Sequence, residues 1–90
     1  MKKSNRELER IVKGFASYRR IQILGLLQKE PELSLQEISE KIRSDFKNVS
    51  VHINRMAVAG LIMKRNDFHS VRHRLTRRGL QVLKFVRTLE

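Results

Sequence analysis

Cysteine and tryptophan are absent from this 90-residue chain, and Pro31 is its one proline. Without cysteine there is no disulfide framework, no thiolate metal site and no cysteine nucleophile. Acidic residues are scarce: nine Asp and Glu stand against twenty Lys and Arg, a formal net charge of +11. No apolar run approaches the roughly 18 residues needed to span a bilayer, and Lys2, Lys3 and Arg6 lead into a charged stretch instead of the apolar core of a signal peptide. A soluble, cytoplasmic protein is expected. The four glycines are scattered and form no phosphate loop, and no nucleophile stands beside a base, so neither an enzyme nor a cofactor is expected.

The charge is uneven. Residues 1–45 carry ten basic and seven acidic groups, net +3, whereas residues 46–90 carry ten basic and two acidic, net +8. The second half therefore holds the field that attracts a polyanion. A single domain over 1–90 is expected, and at this size it buries only roughly 60% of the surface its unfolded chain exposes, so a dimer would add core.

Leu8, Ile11, Val12 and Phe15 recur at i, i+3, i+4 and i+7, the apolar stripe of a helix over about 5–15. Ser17 suits an N-cap, and Ile21, Ile23, Leu24 and Leu27 predict a second, more buried helix over 18–29, which Pro31 stops. Ser34-Leu35-Gln36-Glu37 has capping-box spacing and opens a short helix over 34–42. After a turn at Arg43-Ser44, Asp45 caps a fourth helix over 46–59. On a 100° wheel Phe46, Val49, Ile53 and Met56 gather on one side, while Lys47, Asn48, Val51, Asn54 and Arg55 fall opposite. Extended residues from Leu61, a turn at Asn66-Asp67, and alternation of Val71, His73 and Leu75 with Arg72 and Arg74 predict a hairpin over 61–75 with a basic outer face. Thr76 caps a last helix over 77–88, with Leu80, Val82, Leu83, Phe85 and Val86 on a broad apolar surface. The order predicts a mainly α (α+β) chain, a winged helix-turn-helix of about five helices with a two-stranded β-hairpin wing.

In a helix-turn-helix the second helix lies in the major groove, which accounts for the outer face of helix 46–59. Asn48 and Asn54 match the donor and acceptor of adenine, Lys47 and Arg55 suit guanine or a phosphate, and Val51 suits a thymine methyl. No acidic residue stands between Phe46 and Asp67.

The run Phe15 to Leu27, Ser50-Val51-His52-Ile53, Ala59-Gly60-Leu61-Ile62, and Arg74-Leu75-Thr76 with Gly79 resembles the winged helix-turn-helix repressors of the ArsR-like (arsenic-repressor) family. The resemblance spans about residues 8–88. It implies a homodimeric transcription regulator whose terminal helices make the dimer contact, for which Leu8, Ile11, Phe15, Leu80, Leu83 and Val86 are the candidates. It also implies that Lys47, Asn48, Ser50, Val51 and His52 hold DNA-reading positions and that residues 67–72 form the wing tip. His69, Ser70, Arg72 and Arg74 are the candidate wing contacts to backbone or minor groove. The sequence departs from the family pattern at Tyr18, where a proline often stands, and in lacking the cysteines of thiolate sensors, so arsenite is not an expected signal. The family's zinc site on the last helix has no counterpart either, since Leu80 to Thr88 holds neither His nor acid. His69 and His73 fall across a wing and strand where their directions need not converge, and no metal is expected.

Two functions follow. One is a sequence-specific regulator of double-stranded DNA, acting as a homodimeric repressor, its effector not legible. The other is a winged-helix architectural or protein-interaction module that uses charge without base readout. Asn48, Asn54 and Val51 favour the first, because binding to phosphate alone needs only Lys and Arg.

Overall fold

The computed structural model describes residues 2–90; Met1, the first residue of the expected domain, lies outside them. The elements are α1 (Asn5–Lys13), α2 (Tyr18–Lys29), α3 (Leu35–Ile42), α4 (Phe46–Val58), β1 (Ile62–Asn66), β2 (Val71–Leu75) and α5 (Arg77–Arg87). Five helices and a two-stranded antiparallel hairpin make a winged helix-turn-helix, the fold that the residue pattern predicts.

Local chemistry sets the helix starts. The hydroxyls of Ser17, Ser34 and Thr76 and the carboxylate of Asp45 each accept from a backbone N–H in the first turn of the helix that follows, and Ser34 completes its capping box with Glu37. A second capping box, Ser4 with Glu7, opens α1. That helix ends at Lys13, short of residue 15, with Gly14 as its C-cap, packed so closely on α4 that a Cβ there would lie 2.3 Å from that of Ala59.

The core lies between α2, α3, α4, α5 and the hairpin. Ile23, Leu24, Ile38, Val49, Ile53, Met56 and Leu61 are fully or almost fully buried. Ile21, expected with them, is 37% exposed, and Phe46, expected on the buried side of its helix, is 53% exposed, because it opens α4 beyond the reach of the core. The hairpin pairs Ile62 with Leu75 through Asn66 with Val71, and a third short segment joins it where Leu33 bridges His73. Helix α1 buries none of its nine residues fully, though its Ile11 packs against the core.

Gly79 lies in the first turn of α5, where alanine would ordinarily raise helix stability by about 1 kcal/mol. Here an added Cβ would meet the Leu61 carbonyl oxygen at 2.2 Å. Gly79→Ala is therefore expected to destabilise the fold by about 2 kcal/mol or more in urea unfolding. A stabilised variant would contradict this packing.

Candidate nucleic-acid interface

Helix α4 presents two chemically distinct faces. Val49, Ile53 and Met56 are at most 1% exposed. Lys47, Asn48, Val51, Asn54 and Arg55 are exposed on the other side, and Ser50 is half-buried between the faces. The amide of Asn48 carries a donor and an acceptor into solvent, and Val51, 47% exposed, sets a branched apolar side chain beside it. The first turn carries free backbone N–H groups and partial positive charge with no acid except its Asp45 cap.

His52 is placed differently. It is half-buried, and its Nδ1 accepts from Arg20 Nε at 3.1 Å, so the ring faces α2. Asn54 is exposed, but its Oδ1 accepts from Lys64 Nζ across the gap to β1. Arg55 extends beside Arg10, Lys13 and Arg20.

The wing divides into a tip and a paired base. At the tip His69 is exposed and Ser70 half-buried, and the Asp67 carboxylate accepts from the His69 N–H at 3.0 Å. Arg72, expected to meet DNA backbone, is half-buried and engaged by the protein's own groups: it pairs with Glu37 at 3.0 Å and Asp67 at 3.2 Å and donates to the Glu32 carbonyl at 3.3 Å. Arg74 is exposed and lies 3.9 Å from Glu32, which also pairs with Arg65. His73 is buried with its Nδ1 2.9 Å from the Leu33 carbonyl, whereas His69 is exposed.

The candidate dimer residues separate too. Leu83 belongs to the core at 3% exposure, and Ile11 and Phe15 pack against that core. Leu8 and Leu80 are 46% and 47% exposed and Val86 is half-buried; Val12 and Phe85, at 50% and 55%, are exposed as well. Arg20 and Lys64 join the site without any signal in the sequence. Their partners are 32 and 10 residues distant, and no local spacing reveals them.

The winged helix-turn-helix DNA-binding family model matches residues 17–63, just over half of the chain. No curated protein matches the sequence. Among solved structures, the chain is similar to the homodimeric winged helix-turn-helix DNA-binding domain of Mb0332 from Mycobacterium bovis, a possible ArsR-family transcriptional regulator. That match has a TM-score of 0.83 at 21% identity, over 99% of this chain and 88% of that one. HlyU from Vibrio cholerae gives 0.82 at 26% identity over 99% and 97%. The transcriptional repressor BigR from Xylella fastidiosa gives 0.78 at 19% over 94% and 87%. The fold of ArsR-like regulators thus extends over nearly the whole chain.

Burial, with the cations Arg20, Arg19 and Arg55 adding to it, lowers the pKa of His52 below its ordinary 6.5. Burial also lowers that of His73, against the opposing pull of the Leu33 carbonyl. Because the unfolded chain binds protons on these rings more readily, stability falls as pH drops through 6.5 and below. Glu37 and Asp67 are held below the usual carboxylate range, Glu37 chiefly by the Ser34 N–H and Asp67 chiefly by the His69 N–H, so their contribution is lost only in stronger acid. Thermal melts are expected to show Tm decreasing from pH 7.5 to 5; a flat or rising Tm over that interval would contradict the lowered pKa of the half-buried His52 and the buried His73.

Proposed function

The chain belongs to the winged helix-turn-helix DNA-binding family, and on that premise we propose that it is a homodimeric, sequence-specific transcriptional regulator, acting as a repressor. In this reading α4 enters the major groove. Lys47, Asn48, Val51, Asn54 and Arg55 face the duplex, Ser50 and His52 stand at the margin, and the wing tip at His69 and Ser70 approaches the flanking backbone or minor groove. Arg74 adds to the wing's positive field, and Arg72 holds the wing in place. A regulator of this kind works in the cytoplasm, on the nucleoid.

The observation that carries the reading is the exposed amide of Asn48 beside Val51 on a helix whose opposite face is sealed. Amides and a branched apolar side chain discriminate base edges, whereas a phosphate binder has no use for them. Repression is supported by the similarity to BigR, a transcriptional repressor. A homodimer is supported by the homodimeric Mb0332 domain and by Leu8, Val12, Leu80 and Phe85, apolar and exposed on the two terminal helices. Pairing matters because one small module makes few base contacts, and tethering a second multiplies affinity through effective concentration. The operator would then be an inverted repeat with half-sites about one helical turn apart.

Selection from a random oligonucleotide pool should return such a repeat. On the selected site Asn48→Ala is expected to cost about 1–3 kcal/mol and to relax base preference; equal affinity for selected and scrambled duplexes would leave an architectural role in its place. Leu80→Asp with Phe85→Asp should convert the protein to a monomer in sedimentation and weaken operator binding. A wild-type monomer at micromolar concentration would remove the dimer from this account.

A further inference from the structure

Arg10 and Lys13 of α1, Arg20 of α2 and Arg55 of α4 line one cleft of about 330 Å³, together with the buried Ala59 and, at its edge, Val58. No acidic residue lines it. Lys13 reaches Glu9 at 3.7 Å, with both side chains largely exposed, and the nearby Glu7 is engaged by Ser4. Arg10, Arg20 and Arg55 make no ion pair among the described residues. Arg20 instead donates to the Lys13 carbonyl and to His52, which pins its guanidinium close to Arg55. Burial, and then the like charge of Arg55, lower the Arg20 pKa. Three arginines without an ion pair, one of them held in place, favour an anion.

The position of the cleft indicates which anion. Asn54 borders it on one flank of α4 and also borders the cleft on the other flank, shared with Lys64 and Ser70. The exposed edge of α4 thus runs between two cation-bearing flanks, as a recognition helix runs between phosphate ridges about 12 Å apart. On α1 the 100° spacing sets Arg6, Arg10 and Lys13 opposite Leu8 and Val12, so a second copy of the chain covering the apolar side leaves the basic side free. Val58, 90% exposed, does not close the cleft.

We propose that the cleft between α1 and α4 binds a backbone phosphate of duplex DNA beside the bases that α4 reads, with Arg20 and Arg55 as the principal cations and Arg10 and Lys13 at the rim. This rests on the reading that α4 enters the major groove. Such a contact carries no base information; it fixes the register of the helix along the duplex and adds salt-sensitive affinity. Arg55 then holds phosphate instead of reading guanine.

The test is DNA binding by fluorescence anisotropy over a KCl series, with Arg10→Gln/Lys13→Gln and Arg55→Gln variants whose folding is checked by thermal melts. A Lys29→Gln/Lys84→Gln variant removes equal charge from a different cleft, between α2 and α5. The cleft variants are expected to flatten the slope of log K against log salt by roughly one unit for each phosphate they no longer hold. Their affinity should fall by the same factor on selected and scrambled duplexes, and ethylation of one phosphate should no longer interfere with binding. The control should keep the wild-type slope. Unchanged slopes in the cleft variants, with the wild type still preferring its selected site, would overturn the phosphate site and leave the reading of α4 standing. A loss of base preference in Arg55→Gln would return that residue to base contact, and a wild type that binds no duplex would overturn both.

Discussion

The rotation of α4 about its own axis is the constraint on which everything else depends. Val49, Ile53 and Met56 fix it by entering a socket made by Ile23, Leu24 and Leu27 of α2, Ile38 and Ile42 of α3, and Leu61 beyond the helix end. Turning the helix by one residue, about 100°, would carry amides into that socket and expose aliphatic side chains. Burying an amide without a partner costs several kcal/mol, so the core enforces the outward direction of Asn48 and its neighbours. Residues with no part in any interface thereby decide which side chains face a partner. The α3–α4 turn assists, since Arg43 adopts a left-handed conformation with φ 54° and closes α3 before Asp45 opens the next helix.

A second constraint governs the wing. Glu32, at φ 68°, sends its backbone N–H to the His73 carbonyl and its carboxylate to Arg65 and Arg74, while its own carbonyl receives Arg72. With the Leu33–His73 bridge, this ties the segment before α3 to the hairpin. Three of the ten cations counted in the second half of the sequence, Arg65, Arg72 and Arg74, therefore meet the protein's own carboxylates at the base of the wing. The cations around α4, by contrast, include Lys47 on its exposed face and Arg10, Arg20 and Arg55 in the cleft beside α1, none of which makes an ion pair among the described residues.

The helices were legible because their starts are local chemistry: Ser17, Ser34, Asp45 and Thr76 cap their own first turns, and the signal needs only four consecutive residues. The two-faced character of α4 was legible for the same reason, from a 3.6-residue period. The periodicity says which residues share a face and nothing about how far the core extends, which is why Phe46, at the helix start, is exposed and Leu83 is core instead of interface. Contacts across long separations left no trace in the sequence. Arg20 meets His52, and Arg72 meets Glu37, through tertiary placement alone. Those contacts turn His52 toward α2 and tie Arg72 to the protein's own acids, whereas the family resemblance puts both at the partner's surface.

The most direct test of the central claim is an NMR titration of the protein with its selected duplex, following side-chain amide resonances. The account predicts that the Asn48 side-chain NH₂ signals, with the Val51 methyls, shift most and show contacts to base protons in the groove. Shifts confined to α1, α5 and the wing, with Asn48 and Val51 unperturbed at saturation, would contradict it.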